Sequence, residues 1–332
     1  MQIKSGSALI TGPVLWVVCG LWVVCGLLGQ SLLGPALSAQ TLPTQTLPAQ
    51  TLPTQTLSSQ ALSSQTLSTQ TLSPQTLSPQ TFLSQPWNLP QGTTVKDSGP
   101  RRYRFTVDYT TASAKGEILR RQRLTGDYTR GLTSGDVVWN NVAQADADGA
   151  AAPFPSAQKR DFMEGFRYHN DLAATLKPEF FRAFPPTAVF ERNLVWDTGM
   201  IEHFGQDYFA HLRLNEPYHS IPNEDVKMPE VGTFQNRDVV VEWIGRSQKN
   251  GQDCALIRYQ ALLNPLEIDN GGMTLKGRSS YWGEIWVSLS TKQIEYGTLN
   301  ETVVGELKLA GQDATQIVNV IRSGTFEPVR AK

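Results

Sequence analysis

Beyond residue 100, apolar and polar side chains alternate along much of the chain, the period-2 signature of strands that bury one face. In Asp238–Leu263, Val239, Val241 and Trp243 alternate with Asp238, Glu242 and Arg246, and Ala255, Ile257, Tyr259, Ala261 and Leu263 make the apolar parity of the return. This pattern predicts a β-hairpin. A two-residue Asn250-Gly251 turn would pair odd positions with even ones and split that apolar face. A three-residue loop, Lys249-Asn250-Gly251, pairs Trp243 with Ile257 and Val241 with Tyr259 and puts Gly251 in the left-handed region, so it is the expected form. A second hairpin is predicted over Arg278–Leu307. Tyr281, Ile285, Val287 and Leu289 form one face, continued by Ile294, Tyr296 and Thr298 after a Ser290–Gln293 turn. The opposite face carries Trp282 and Trp286 beside Glu284, with Leu299 across from them. A solvated face would carry charged or Thr-rich positions, so the two indoles predict a cover there too. Further strands are expected at Tyr103–Tyr109, Glu117–Leu124, Val137–Val142 and Gln316–Ile321. Strands following one another through short turns indicate an antiparallel meander.

The middle of the chain changes period. Phe162, Phe166 and His169 follow helical spacing; Asn170 or Asp171 can cap a short helix with Leu172 and Leu176; Pro178 can start another with Phe180, Phe181 and Phe184. Trp196, Met200, Phe204, Tyr208 and Leu212 then recur every four residues as a helical apolar stripe. The fold class that follows is α+β: a curved antiparallel β-sheet, half-barrel or open barrel, in residues 92–332, with a helical insertion at about 159–217. Laid over the tryptophan face, that insertion would bury both surfaces at once.

Between Lys4 and Lys96 there is no charged side chain. Lys4, the apolar run Val14–Gly34 and the small residues Ala36, Ser38 and Ala39 make residues 1–39 a signal peptide or an uncleaved signal anchor. Residues 40–91 repeat Gln-Thr-Leu-(Pro/Ser)-x over nine units. A five-residue period fits neither helix nor strand, and these residues lack the means to offset their ordering entropy, so they read as a disordered spacer. Pentapeptide-repeat β-helices place a small residue where every unit here has Gln, which separates the two. The expected location is exported: periplasmic, cell surface or secreted, with membrane contact only through an uncleaved N-terminus. Removal of the leader would leave Cys254 alone, so no intrachain disulfide is expected.

The net charge of −1 includes Lys4, so the part beyond the spacer carries −2, which gives no electrostatic reason to expect nucleic acid. Three constellations bear on chemistry. Leu194-Val195-Trp196-Asp197-Thr198-Gly199 resembles the Asp-Thr-Gly signature of aspartic proteases; Asp197 would then be a catalytic carboxylate, with a dimer supplying its partner. The bland alternative is that Asp197 or Thr198 caps the following helix. His203, Asp207 and His211, four residues apart, could hold zinc, or could form a partly exposed polar row. Trp282, Trp286 and Leu299, with Phe180, Phe181 and Phe184 as lids, could line an apolar cavity, or could be ordinary core. No nucleophile elbow, phosphate loop or nucleotide fingerprint occurs, and no cofactor is expected. The coarse plan is similar to the half-barrel carriers of the lipoprotein-sorting type. The leading expectation is non-enzymatic binding of an apolar or amphipathic small molecule or envelope component. A hydrolase and a structural surface protein are the alternatives.

Overall fold

Alternation in the sequence resolves into a single antiparallel sheet. The computed structural model describes Leu89 and residues 99–329, apart from 134, 176, 186–187, 222, 229–231, 270–272 and 312. The predicted export segment lies outside the described residues, as does the predicted spacer apart from Leu89, which is buried in the core. The strands are β1 (Arg101–Ser113), β2 (Ile118–Arg130), β3 (Asp136–Asp148), β4 (Gln158–Lys159), β5 (Phe166–His169), β6 (Pro217–Ile221), β7 (Glu224–Met228), β8 (Gly232–Asn236), β9 (Val239–Lys249), β10 (Gln252–Asp269), β11 (Met273–Ser288), β12 (Ile294–Leu309) and β13 (Thr315–Pro328). Their order is β4-β3-β2-β1-β13-β12-β11-β10-β8-β7, with β5 on β3, and β6 joined through β9 to β10. Among the described residues the sheet does not close. β10 is 18 residues long and carries β9 along its first half and β8 along its second.

Two bulges decide which side chains face inward. The first hairpin turns through two residues, Asn250 (φ 52°) and Gly251 (φ 76°), with Lys249 opposite Gln252. The three-residue loop expected from the sequence is therefore corrected. Trp243 still pairs with Ile257 and Val241 with Tyr259, because the register shifts at Ile244 and restores the apolar parity. A turn with two left-handed residues matches strand twist better than the longer loop, and Asn-Gly is the pair best able to form it. In the second hairpin the register shifts at Glu295. Ile294 stays in the core, whereas Tyr296 and Thr298 move to the Trp286 side and Leu299 moves inward, fully buried. The parity expected for these residues is thus reversed beyond the bulge.

The helical segment is shorter and begins earlier than its stripe implies. Asp161–Met163 is a 3-10 turn and Phe166–His169 a strand, so the helical spacing there was coincidental. Helix α1 (Leu172–Thr175) starts under Asp171, whose Oδ1 accepts from the Ala173 amide at 3.0 Å. Pro178–Phe181 is a 3-10 turn with Pro at its start. The main helix, α2 (Val189–Glu202), continues into a π turn, His203–Asp207. Asp197 and Thr198 therefore sit mid-helix and cap nothing; Thr198 Oγ1 donates back to the Leu194 carbonyl at 2.8 Å. Among the described residues no helix is long and apolar enough to cross a membrane.

α2 is buried nearly all round. Phe190, Asn193, Asp197, Ile201 and Phe204 follow helical spacing on its sheet side: Phe190 meets Tyr109 of β1, Ile201 packs on Gly297 of β12, and Phe204 meets Tyr259 of β10. Its opposite side carries Arg192 and Trp196, both against Phe181. Glu202 follows Ile201 directly, yet its carboxylate accepts from Tyr128 on β2 at 3.0 Å. β2 and β12 are three strand spacings apart, about 14 Å in a flat sheet. The sheet therefore curves around the helix.

Gly283 of β11 lies under the Tyr259 ring, whose hydroxyl donates over it to the Thr298 carbonyl at 2.8 Å. An added methyl would collide with that carbonyl and with the tyrosine. Gly283→Ala is expected to lower stability by about 2–3 kcal/mol. Gly245→Ala, with nothing within 4 Å of the new methyl, should change it by less than about 0.5 kcal/mol. Urea-unfolding midpoints check both.

Candidate functional site

A rank of polar side chains crosses the largely apolar inward face of the sheet. Asp146, Gln122, Tyr109, Arg322, Glu301 and Tyr281 stand opposite one another on β3, β2, β1, β13, β12 and β11. Asn193 and Asp197 of α2 lie on the helix side facing this rank. Arg322 Nη1 is 3.1 Å from Asp197 Oδ2 and Nη2 is 2.9 Å from Glu301 Oε2, with all three side chains at 0–1% exposure. Ser279 Oγ donates to Glu301 Oε1 at 2.6 Å, and Gln122 Nε2 donates to Asp146 Oδ1 at 2.6 Å. Burial raises the Tyr109 phenol well above its ordinary pKa, with the Arg322 charge opposing, so the ring remains neutral. The two ends of α2 repeat the device. Arg130 Nη1 meets Glu202 Oε1 at 2.6 Å, Asn170 Nδ2 donates to Glu202 Oε2 at 2.7 Å, and Arg160 Nε meets Glu191 Oε1 at 2.8 Å.

The sequence shows these residues only indirectly. Glu301 and Arg322 occupy apolar-parity positions of their strands, between Leu299 and Val303 and between Val320 and Gly324. A charge at an inward position is the signal that could have found them. The structure places the Asp-Thr-Gly aspartate inside a helix, where Asp197 is fully buried and ion-paired with Arg322.

The histidine row separates. His203 Nδ1 lies 2.5 Å from Asp207 Oδ2, and its ring packs edge-on to Tyr208; His211 instead stacks on Tyr218 with centroids 5.8 Å apart. Among the described residues no group of three or more His, Cys, Asp or Glu side chains is placed to hold a metal. Cys254 is buried and its thiol is pushed up to about 11, chiefly by that burial, so it stays protonated near neutrality.

The aromatic candidates fall into three places. Phe180, Phe181 and Phe184 join Phe162, Phe166, Tyr168 and Trp196 in an edge-to-face cluster that includes the side of α2 away from the sheet. Leu299 is in the core. Trp282 and Trp286 are on the outward face, so the expected helical cover over them is corrected: α2 lies on the other side. Trp282 is 41% exposed and Trp286 half-buried.

Trp282 belongs to a larger pattern. Val304, Ile317 and Ile321 are exposed on the same outward side of β12 and β13, and Leu262 and Leu263 project from a bulge in β10. That bulge is stabilised from within, where Asn264 Nδ2 donates to the Ala261 and Ser279 carbonyls at 3.1 Å each, and from outside by Ser280 Oγ accepting from the Leu263 amide. Leu119, in a bulge of β2, is the remaining large exposed hydrophobic among the described residues. Apolar exposure is thus concentrated on one surface, interspersed with Ser280, Asn300, Thr302 and Arg278.

No family model matches the chain, and no curated protein matches it. Among solved structures, lipovitellin, described for its lipid–protein interactions, aligns over 71% of this chain at 11% identity with a TM-score of 0.36, and this chain spans 26% of that one. A receptor-binding domain (9% identity, 70% of this chain and 82% of that one) and a botulinum neurotoxin type C structure concerned with two ganglioside molecules (8% identity, 70% and 83%) each give a TM-score of 0.12. Likeness at this level transfers neither fold nor activity.

Two outcomes follow from the ion pairs. Arg322→Met leaves two buried carboxylates without their counter-ion and is expected to cost about 3–5 kcal/mol. Asp207→Asn removes a carboxylate that is 66% exposed and should cost less than about 1 kcal/mol. Guanidinium unfolding distinguishes them. Burial, opposed by Arg160, raises the Glu191 carboxyl above its ordinary pKa. The native state therefore binds that proton more tightly than the unfolded state, so Glu191 favours folding most below the ordinary value and less as pH climbs to the raised one. The stability of the native chain relative to Glu191→Gln should fall from mildly acid to neutral pH. A flat difference contradicts the assignment.

Proposed function

We propose that this protein is an exported, tethered, non-enzymatic binding module that takes an amphipathic ligand such as a phospholipid on the outward face of its sheet. The observation that carries the reading is the collection of Trp282, Leu262, Leu263, Val304, Ile317 and Ile321 on that face, while the inward face is filled by α2 and fixed by buried ion pairs. Grouped exposed hydrophobics rimmed by polar residues mark interaction surfaces, whereas scattered ones carry no such meaning. A tryptophan suits a boundary between apolar chains and polar headgroups, since its indole has an apolar body and a polar N–H. The spacer preceding the domain would let it search for its ligand at a distance: fifty residues reach about 40 Å as a coil and about 150 Å if extended.

The test is quenching of tryptophan emission in the full chain by phospholipid vesicles with brominated acyl chains. Comparison with Trp282→Phe isolates one indole from the others, including those of the N-terminal segment. The expected result is quenching whose larger part disappears in the variant. Quenching that is absent, or identical in both proteins, removes the outward face as the binding surface.

A further inference from the structure

Trp286 and Tyr296 face each other across the β11–β12 ladder on the outward side. Their centroids are 5.3 Å apart and their planes meet at 71°, so they form a corner, not a stack. The face of an aromatic ring is its negative side, and two walls at a steep angle direct both faces toward one point. A cation occupies that point: Lys249 Nζ lies 3.8 Å from the Tyr296 centroid and 5.5 Å from that of Trp286. It arrives from the last residue of β9, next to the Asn250-Gly251 turn, on a flexible four-carbon stem. Both rings are half-buried, which limits screening of the attraction. Glu327 acts on the Tyr296 phenol from nearby and, after burial, is the second cause of its raised pKa. A carboxylate beside the corner adds to its preference for positive charge.

We propose that the Trp286–Tyr296 corner is a binding site for a quaternary ammonium group, the chemistry of a choline headgroup, with Lys249 as its built-in occupant. A primary ammonium is strongly hydrated and gives up water reluctantly. A trimethylammonium group carries the same charge on an apolar surface and has no N–H to leave unsatisfied, which makes it the better partner for aromatic walls. Lys249 holds the corner by proximity and yields it when its stem swings out. The inference rests on the outward face being the ligand surface and adds a headgroup class to it.

The experiment titrates the full chain, Lys249→Gln, Trp286→Leu and Tyr296→Leu with tetramethylammonium chloride by calorimetry, against sodium chloride at matched ionic strength. Lys249→Gln is expected to bind roughly two- to fivefold more tightly than the native chain, the effect of removing one competing half-buried cation. Both leucine variants should lose the tetramethylammonium heat while keeping a native far-ultraviolet spectrum; if one fails to fold, the other still decides. Phosphatidylcholine and phosphatidylglycerol vesicles then identify the source. A gain by Lys249→Gln on phosphatidylcholine vesicles alone assigns a lipid headgroup, and a gain with free choline alone assigns a soluble ligand. Equal heats for tetramethylammonium and sodium in both the native chain and Lys249→Gln overturn the proposal, as does undiminished binding by a folded leucine variant. If brominated lipid still quenches Trp282 in that case, the corner falls and the outward-face reading stands. Tetramethylammonium binding without such quenching has the reverse meaning.

Discussion

Arg322 cannot shed its proton in the interior, so once buried it must be met by carboxylates. One comes from its neighbour strand, as Glu301, and the other from the middle of the helix, as Asp197. The pairing has only one geometry. Sliding α2 by a residue would carry Asp197 away from the guanidinium, which keeps Glu301, and leave a buried carboxylate without its counter-ion at a cost of several kcal/mol. Hydrophobic contacts alone would not specify the helix so tightly, because Phe190, Leu194, Ile201 and Phe204 could repack at modest cost. The ion pair fixes the register, and Arg130 and Arg160 fix the two ends of the flank through Glu202 and Glu191.

From that constraint follows the division of labour between the two faces. A sheet that curves around a helix with charged groups locked on its sheet side and flank has its inner surface committed to structure. Whatever the protein engages through the sheet has to meet the outer surface, and that is where the large exposed apolar side chains lie. Asn264 connects the two sides. From within the core it stabilises the β10 bulge whose outward products are Leu262 and Leu263. The outward face is thereby shaped by inward hydrogen bonds, which gives rigid support to side chains that would otherwise be an aggregation liability.

How much of this was legible in the sequence depends on the length scale of the signal. Period-2 alternation located β1, β2, β3, β9, β10, β11, β12 and the first part of β13, because each strand carries its own repeating pattern. Asp171 and Pro178 marked the starts of short turns, since capping chemistry is local. The faces of the second hairpin were misread beyond Glu295, where a single extra residue inverts parity and no composition signal announces it. The first hairpin shows the converse: the pairing was right and the turn wrong, because a bulge at Ile244 and a longer loop have the same effect on register. The Arg322 cluster joins residues 125 apart in sequence, and its only trace is a charge at an inward position. The corner of Trp286, Tyr296 and Lys249 required knowing that Tyr296 had changed sides.

Oxidative footprinting of the full chain by mass spectrometry, with and without phospholipid vesicles, tests most directly whether the outer surface is the working one. The account predicts that Trp282, Leu263 and Ile321 become protected while Trp196 and Met200 within the helix keep their low, unchanged reactivity. Protection or exposure changes at Met200 and Trp196 with no change at Trp282 would mean that the ligand enters beneath the helix, and would contradict it.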